Sequence, residues 1–581
     1  MKLFDRILAA RGLQGETLER FLRPDYALGH DPFLLPDMEK AVERLVRARE
    51  SQEHIMIYGD YDIDGLTATT VLLDAFDSFG FQHVEAFIPN RFVEGYGMTV
   101  DAVERIAATG ATLIVTVDCG SLSHEPITRA AELGVDVIVT DHHNVSPEQP
   151  PAVAVINPKR LLADYPDEYK GFVLDSSPTQ DVPLEPASST TSRLPPTKYP
   201  FLDLPGAGVA FKLVQALQTR LDGLSDGQEK WLLDLVALGT VCDVVTLQDE
   251  NRTHVYWGLQ VLARTKRPGL KALMVVSRVE PRSVNARSLG FALGPRMNAA
   301  GRLETAQLAL DMLRASDGSD ALERAQQLDE MNVRRRAEQD TIFKDALIQA
   351  EQRATDNVLV VSQSGWNHGI IGIVAAKLLE RYGKPTYVIE EIGDEAKGSA
   401  RSYGDFSAAD AIRASDDIIT KGGGHTLAAG VTLPTAQIEA FRARVNQFYQ
   451  DKNLRLAEQQ ALLLPRADAG ATLDEITEEL VGQLATLEPY GKGNEQPIIK
   501  TEQLRVVRAR RMGAEQQHIK LTLAAQSTSA TMDALAFSAP PHFFVEPGAV
   551  VTIWYQPSIN EWQGRRSVEG RLLHLELDEE S

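Results

Sequence analysis

Three carboxylates on alternate positions, Asp60, Asp62 and Asp64, follow directly on the apolar run Ile55-Met56-Ile57-Tyr58 and are closed by Gly65. Like charges this close repel and raise one another's pKa unless a cation holds them. Oxygen ligands at this density suit hard divalent ions such as Mg2+ or Mn2+. The spacing D-x-D-x-D-G also opens a calcium loop. That loop needs a bidentate Glu at its twelfth position, where this chain has Val71, and a helix in front, where this chain has an apolar strand-like run. The calcium reading fails on both counts.

Three more segments repeat the order of apolar run, then polar cluster. Leu113 to Val117 ends in Asp118-Cys119-Gly120, and Val135 to Thr140 ends in Asp141-His142-His143. Val84 to Ile88 is followed by Asn90-Arg91-Phe92-Val93-Glu94-Gly95-Tyr96-Gly97. Helical patterns over Leu66 to Phe79, Thr99 to Ala108 and Glu125 to Leu133 separate them. Apolar strands alternating with amphipathic helices predict a buried parallel sheet, whose ligands lie beyond the carboxyl ends of its strands. Asp60, Asp62, Asp64, Asp118, His142 and His143 are therefore expected to converge. One Asp after a strand is ordinarily a helix cap or turn residue; the recurrence at successive strand ends is what points to metal.

The 581 residues are too many for one core, so several domains are expected. Two cysteines, Cys119 and Cys242, give no disulfide framework and fit a reducing compartment. The start lacks a secretion signal and no stretch approaches a membrane span, so the chain reads as cytoplasmic with no membrane partner. A net charge of -22 means that any nucleic acid would have to meet local positive patches inside a negative envelope.

The predicted architecture is a multidomain α/β chain. A parallel-sheet catalytic domain spans 1–315, with a Pro/Ser/Thr-rich insertion over about 163–200. A connecting helix over 316–356 follows, its core from Ser319 to Asp356 free of Gly and Pro. A smaller α/β domain occupies 357–452, and 453–581 is an OB-type β-barrel. In the smaller domain, Gly422-Gly423-Gly424-His425 offers unobstructed backbone N–H groups near Arg401, a combination suited to phosphate. In the barrel, Arg508, Arg510, Arg511, Lys520, Trp554, Tyr555, Trp562, Arg565 and Arg566 interleave cations with aromatics. Such mixtures bind single strands by stacking and phosphate contact, or else are core aromatics beside solvated arginines.

Together, Gly59 to Gly65, Asn90-Arg91 with Glu94 to Gly97, Val117 to Gly120 and Asp141-His142-His143 resemble the DHH phosphoesterase superfamily. Leu238 to Asp243, Gly294-Pro295-Arg296-Met297-Asn298-Ala299-Ala300-Gly301-Arg302, Gly422 to Gly430 and Pro489 to Asn494 resemble its exonuclease branch, which degrades single-stranded DNA from the 5′ end to mononucleotides in repair and recombination. That resemblance implies that Asp60, Asp62, Asp64, Asp118, His142 and Asp243 hold two Mn2+ or Mg2+ ions. Asp62, Asp64, Asp118, His142, His143 and Asp243 would form the catalytic set, with His143 at the site or just behind it. Arg91, Tyr96, Ser399 and Arg401 would meet the 5′ terminus, and Arg296, Asn298, Arg302, Gly423, Gly424 and His425 the strand. The implied partners are single-stranded DNA, a single-strand-binding protein and a helicase. Ile63 and Cys242 stand where the family usually has alanine; neither is expected to be a ligand. The alternatives are a superfamily phosphodiesterase for short oligonucleotides or cyclic dinucleotides, a pyrophosphatase, and a non-catalytic DNA scaffold. The barrel and the Gly294 to Arg302 segment disfavour the first two, and the complete ligand set disfavours the third.

Overall fold

The computed structural model describes residues 1–166 and 198–578, so most of the insertion expected over about 163–200 lies outside the described residues. Each of the four apolar runs is a strand: β1 (His54–Tyr58), β2 (His83–Phe87), β3 (Leu113–Val117) and β4 (Asp136–Thr140). They alternate with helices Ile63–Phe79, Val100–Ala108 and His124–Glu132. A further strand, β5 (Ala154–Ile156), adds to the expected set; three residues are too few for a periodic signal. All five pair in parallel in the order β2-β1-β3-β4-β5.

Helix Ile63–Phe79 is buried along almost its whole length, with Leu66, Val71, Leu72 and Phe76 fully enclosed. Each such side chain contributes roughly 1.5–3 kcal/mol by leaving water, which anchors the carboxylate turn at the helix start. Its buried threonines stay satisfied within the helix: the Thr67, Thr69 and Thr70 hydroxyls donate to carbonyls one turn back at 2.8, 2.7 and 2.8 Å.

Helix Gly318–Gln352 is 35 residues long, about 52 Å at ~1.5 Å per residue. It starts where expected, capped by Asp317, and ends four residues earlier than the composition suggested. Ala321, Ala325 and Leu328 pack into the catalytic core, while Ile342, Ala346 and Ala350 pack into the next unit. One apolar stripe thus joins two domains.

The second unit is a mixed sheet of β6 (Leu359–Ser364), β7 (Thr386–Ile392), β8 (Glu395–Arg401), β9 (Lys421–Gly424) and β10 (Ala428–Pro434), ordered β6-β7-β8-β10-β9. The last sheet contains β11 (Ala469–Gly470), β12 (Ile499–Met512), β13 (His518–Ala525), β14 (Thr531–Ala536), β15 (Val550–Trp562) and β16 (Arg565–Leu577). Its order is β11-β12-β13-β14-β16-β15, and β12 also pairs with β15, so the sheet returns on itself as an OB-type barrel does. Leu3, Ile7 and Leu8 of the N-terminal helix Leu3–Ala10 pack into this barrel core. The Arg11–Asp468 ion pair (2.6 Å) and the Leu247 N–H to Lys492 O bond (2.7 Å) fasten barrel to catalytic domain. Tyr555 is fully buried and is a core residue rather than a stacking surface. Among the described residues no helix is long and apolar enough to cross a membrane.

Candidate metal centre and phosphate pocket

The strand-end residues meet. Asp118 N–H donates to Thr140 O and Asp141 N–H to Ile156 O, both at 3.0 Å, so each residue sits one step past its strand and still on the ladder. Asp118 adopts the left-handed region (φ 61°), which Asp tolerates better than most residues and which turns its carboxylate away from the strand. Asp62 caps helix Ile63–Phe79, accepting from Gly65 N–H at 3.1 Å. A Cβ on Gly65 would lie 2.6 Å from Asp60 N, so only glycine lets the helix start this close to the strand. Asp64 accepts from Gly206 and Ala207 N–H, at 2.5 and 2.9 Å, at the N-terminus of helix Gly206–Gln218. Asp243 immediately follows helix Leu233–Cys242, and Val244 after it is held at φ 59°, an uncommon conformation for a β-branched residue.

Three overlapping groups result: Asp60, Asp62, Asp118; Asp64, His142, Asp243; and Asp118, His142, His143, with ligand atoms within 4.8 Å of one another in each. His142 Nε2 lies 3.0 Å from Asp118 Oδ1, 3.7 Å from Asp243 Oδ2 and 3.8 Å from Asp64 Oδ2. Yet His142 Nε2, Asp118 Oδ1 and Asp60 Oδ1 are buried without a hydrogen-bond partner. Buried donor atoms gathered on a common point without partners are what a shared cation satisfies. The donor set fits divalent metal, and mixed imidazole and carboxylate ligation favours Mn2+ somewhat over Mg2+.

Asp141 works one layer out. Its Oδ1 accepts from the N–H of His142 (2.7 Å) and of His143 (3.0 Å) and lies 2.9 Å from His143 Nδ1; Oδ2 accepts from Ser121 N–H at 2.9 Å. Burial pushes this carboxyl up, but the His143 bond and the neighbouring imidazoles outweigh it and hold it well below the usual range. His143 is raised in turn, since the Asp141 bond overcomes burial, so its Nδ1 is engaged and Nε2 is its free nitrogen. Tyr96 packs against the His143 ring at 5.4 Å. Asn157 ties the layer to β5, donating to His143 O (2.9 Å) and Ser121 Oγ (2.8 Å). Asp141 and Asn157 were given no role from sequence. Asp141 lay in a quoted motif, whereas Asn157 carried no signal because β5 was not recognised.

Without a cation the centre stores repulsion. Burial, then the Asp62 charge, pushes Asp60 up to about 8 and Asp64 to about 7. Burial and neighbouring carboxylates raise Asp118 and Asp243 well above the ordinary carboxylate value. Burial, then the charges of His143 and Lys159, holds His142 well below its ordinary value. His142 therefore remains neutral through the physiological range, and the groups that must lose protons for metal to bind are the carboxylates. The sign follows: protons compete for raised carboxylates, so Mn2+ affinity should rise with pH through about 7 to 8 and binding should release protons. Calorimetric titration of Mn2+ at pH 6.5 and 8.5, in two buffers of different ionisation enthalpy, checks this; equal affinity with no proton release would contradict it.

A second constellation lies where the domains meet. Arg401, on β8, donates to Ser399 Oγ (3.3 Å) and Ala400 O (2.8 Å). A Cβ on Gly372 would lie 2.9 Å from Ser399 Oγ and 3.1 Å from the Arg401 guanidinium, which places both against the first turn of helix Ile371–Tyr382. Arg302 donates to Gly369 O at 3.0 Å, and burial, then Arg91, Arg335 and Arg401, lowers it to about 10. Arg91 lies 4.2 Å over the Tyr61 ring, its Nε buried and unpartnered. Converging guanidiniums, a hydroxyl and a helix N-terminus form a cradle for a dianionic group.

The other residues read from sequence are more dispersed. Arg296 pairs with Asp329 of the long helix (2.8 Å), and Asn298 is half-buried on the same helix, Gly294–Leu303. Gly423 and Gly424 belong to the exposed edge strand β9, paired only with β10, and His425 follows it in the open. The triplet thus serves a strand edge, whose second side stays free for an incoming chain or ligand.

Ligands gathered at the carboxyl ends of a parallel sheet, facing an anion cradle on a second sheet domain, define a DHH-type metal phosphoesterase. Residues 54–240 match the DHH family, N-terminal domain, residues 355–451 the DHHA1 domain, and residues 467–574 the RecJ OB domain. The chain is 33% identical to the single-stranded-DNA-specific exonuclease RecJ of Dickeya dadantii, the alignment covering 99% of this chain and 96% of that protein. It is 36% identical to RecJ of Bacillus subtilis, spanning 96% of this chain and 66% of that longer protein. The structure of Thermus thermophilus RecJ with Mn2+ superposes with a TM-score of 0.77 at 27% identity, covering 99% of this chain and 78% of that one; the same protein has been solved with Mg2+. The chain belongs to the RecJ family of exonucleases.

Proposed function

We propose that the chain is a divalent-metal-dependent exonuclease that hydrolyses single-stranded DNA from its 5′ end to mononucleotides. The overlapping ligand groups around Asp118 and His142, with buried donors that lack any protein partner, carry the reading. Asp60, Asp62, Asp64, Asp118, His142 and Asp243 would hold Mn2+ or Mg2+, which when bound supply water activation and neutralisation of phosphoryl charge. The protein's own part is positional. Asp141 fixes the His143 imidazole and Asn157 the His143 backbone, while the Gly206 and Ala207 amides fix Asp64. Arg91, Arg302, Ser399 and Arg401 would seat a terminal 5′ phosphate and thereby set which phosphodiester reaches the centre. Tyr96 would flank it, and Arg296, Asn298, Gly423, Gly424 and His425 would guide the strand beyond. A single-strand-binding protein and a helicase are proposed partners, because one holds and the other produces the strand to be degraded.

Confinement between two sheet domains suits a single strand, so equal amounts of single-stranded and blunt duplex DNA should be digested at rates differing by at least about tenfold. Equal rates would remove the proposed strand preference.

A further inference from the structure

The Asp64 carboxylate is held by two backbone N–H groups, but that of Asp243 accepts no hydrogen bond among the described residues. Its place is therefore set by the backbone that carries it. That backbone leaves helix Leu233–Cys242, turns at Val244 (φ 59°) and enters helix Asp249–Leu262 through a second left-handed residue, Asp249 (φ 45°). A β-branched residue in the left-handed region is strained and persists only where its surroundings over-determine it.

One carboxylate supplies that constraint next to Asp243. Asp203 Oδ2 accepts from both the N–H and the hydroxyl of Thr246, at 2.9 and 2.7 Å. The buried Asn251 side chain closes the ring, its Nδ2 donating to Asp203 O at 2.6 Å and to Thr246 O at 2.9 Å. Asp203 has no cationic partner among the described residues, so its carboxylate serves this loop rather than an ion pair.

The stretch that carries Asp203 also touches the rest of the centre. Gly206 and Ala207 donate to Asp64, and a Cβ on Gly206 would lie 2.7 Å from Asp118 Cβ. Beyond Thr246 the loop is fastened separately to the barrel entry. Leu247 N–H donates to Lys492 O (2.7 Å), and Arg252 donates to Glu488 O (3.0 Å) and Pro489 O (3.2 Å). Losing the Asp203 bonds would thus free the end of the loop that bears Asp243 and leave its far end in place.

We propose that Asp203 is a positioning residue for Asp243: through Thr246 it sets the loop that presents this carboxylate, and with it the affinity of the centre for a divalent cation. This rests on the reading of Asp243 as a metal-holding residue and adds the group that keeps it in place. An ionised acceptor makes shorter and stronger bonds than a neutral one. Its charge adds to the repulsion on Asp243 in the metal-free centre, and a bound cation reverses the sign of that effect.

The test follows Mn2+ binding to the metal-free full chain by electron paramagnetic resonance of the free ion, which reads affinity without turnover. Asp203→Ala should weaken binding about 10- to 100-fold, and Asp203→Asn and Thr246→Val by smaller factors. Cleavage lost in Asp203→Ala should return in part as Mn2+ is raised. The metal-free melting temperature of Asp203→Asn should hold or rise, because a like charge has been removed. A purely structural residue would instead lower that melting temperature and leave Mn2+ affinity alone. Unchanged affinity in all three variants, with the wild type binding Mn2+, would overturn the positioning role by itself. A wild type that binds no Mn2+ would overturn the reading of the centre and this role with it.

Discussion

Asp118→Asn should yield a protein that is more stable without metal than the wild type and yet inactive. Its carboxylate is buried among those of Asp64, Asp62, Asp243 and Asp60, and it stands in two of the three ligand groups. Replacing it with a neutral side chain of the same shape removes like-charge repulsion while keeping the packing. The melting temperature of the metal-free variant should rise by about 2–4 °C for each kcal/mol of repulsion relieved. Mn2+ should stabilise the wild type by about 2.7 kcal/mol at a hundred times its dissociation constant, and the variant far less. Cleavage should fall on the order of a thousandfold or more, since the residue joins the two halves of the ligand array. Thermal melts with and without Mn2+, beside a single-turnover assay, separate this from general damage, which would lower the melting temperature in both conditions.

Arg401→Ala should change what the enzyme asks of a 5′ end. In the proposed arrangement a 5′ phosphate would meet Arg401, Ser399 and the first turn of helix Ile371–Tyr382, with Arg302 and Arg91 close by. Charge-assisted, geometrically fixed bonds of this kind are the strong ones, and burial, which lowers the Arg401 pKa, adds to their strength. Truncation should reduce kcat/KM on 5′-phosphorylated strands about 10- to 100-fold and on 5′-hydroxyl strands much less. The ratio of the two substrates is the readout. A metal-site defect would depress both equally, and a ratio unchanged by the substitution would place the terminal phosphate elsewhere.

The sheet and its ligands were legible because their signals are local. Apolar runs such as Leu113 to Val117 end abruptly in Asp118, and a buried parallel sheet leaves such residues one place to go. Asp243 was different: it follows a helix rather than a strand, and only resemblance to a family suggested its role. The arginine cradle was partly legible, since Arg91, Arg302 and Arg401 were named, but Arg335 was not. It is buried, bonded to Gln339 and Asn332 at 2.7 Å, because the long helix turns the face that these three residues share inward. The barrel misled in one respect. Tyr555 alternates inward on β15, whereas its neighbour Trp554 is only half-buried, with the Lys500 ammonium 5.0 Å from its ring. Strand phase decides which of two adjacent aromatics is core, and composition does not carry phase.

The most direct measurement is digestion of a long single-stranded DNA labelled separately at each end, with Mn2+ and with EDTA, beside the Asp118→Asn variant. Mn2+-dependent release of labelled mononucleotide from the 5′ end, absent with EDTA and in the variant, is the expected result. Release from the 3′ end, internal cleavage, or hydrolysis confined to dinucleotides would contradict the assignment of a 5′-directed exonuclease on a polymer.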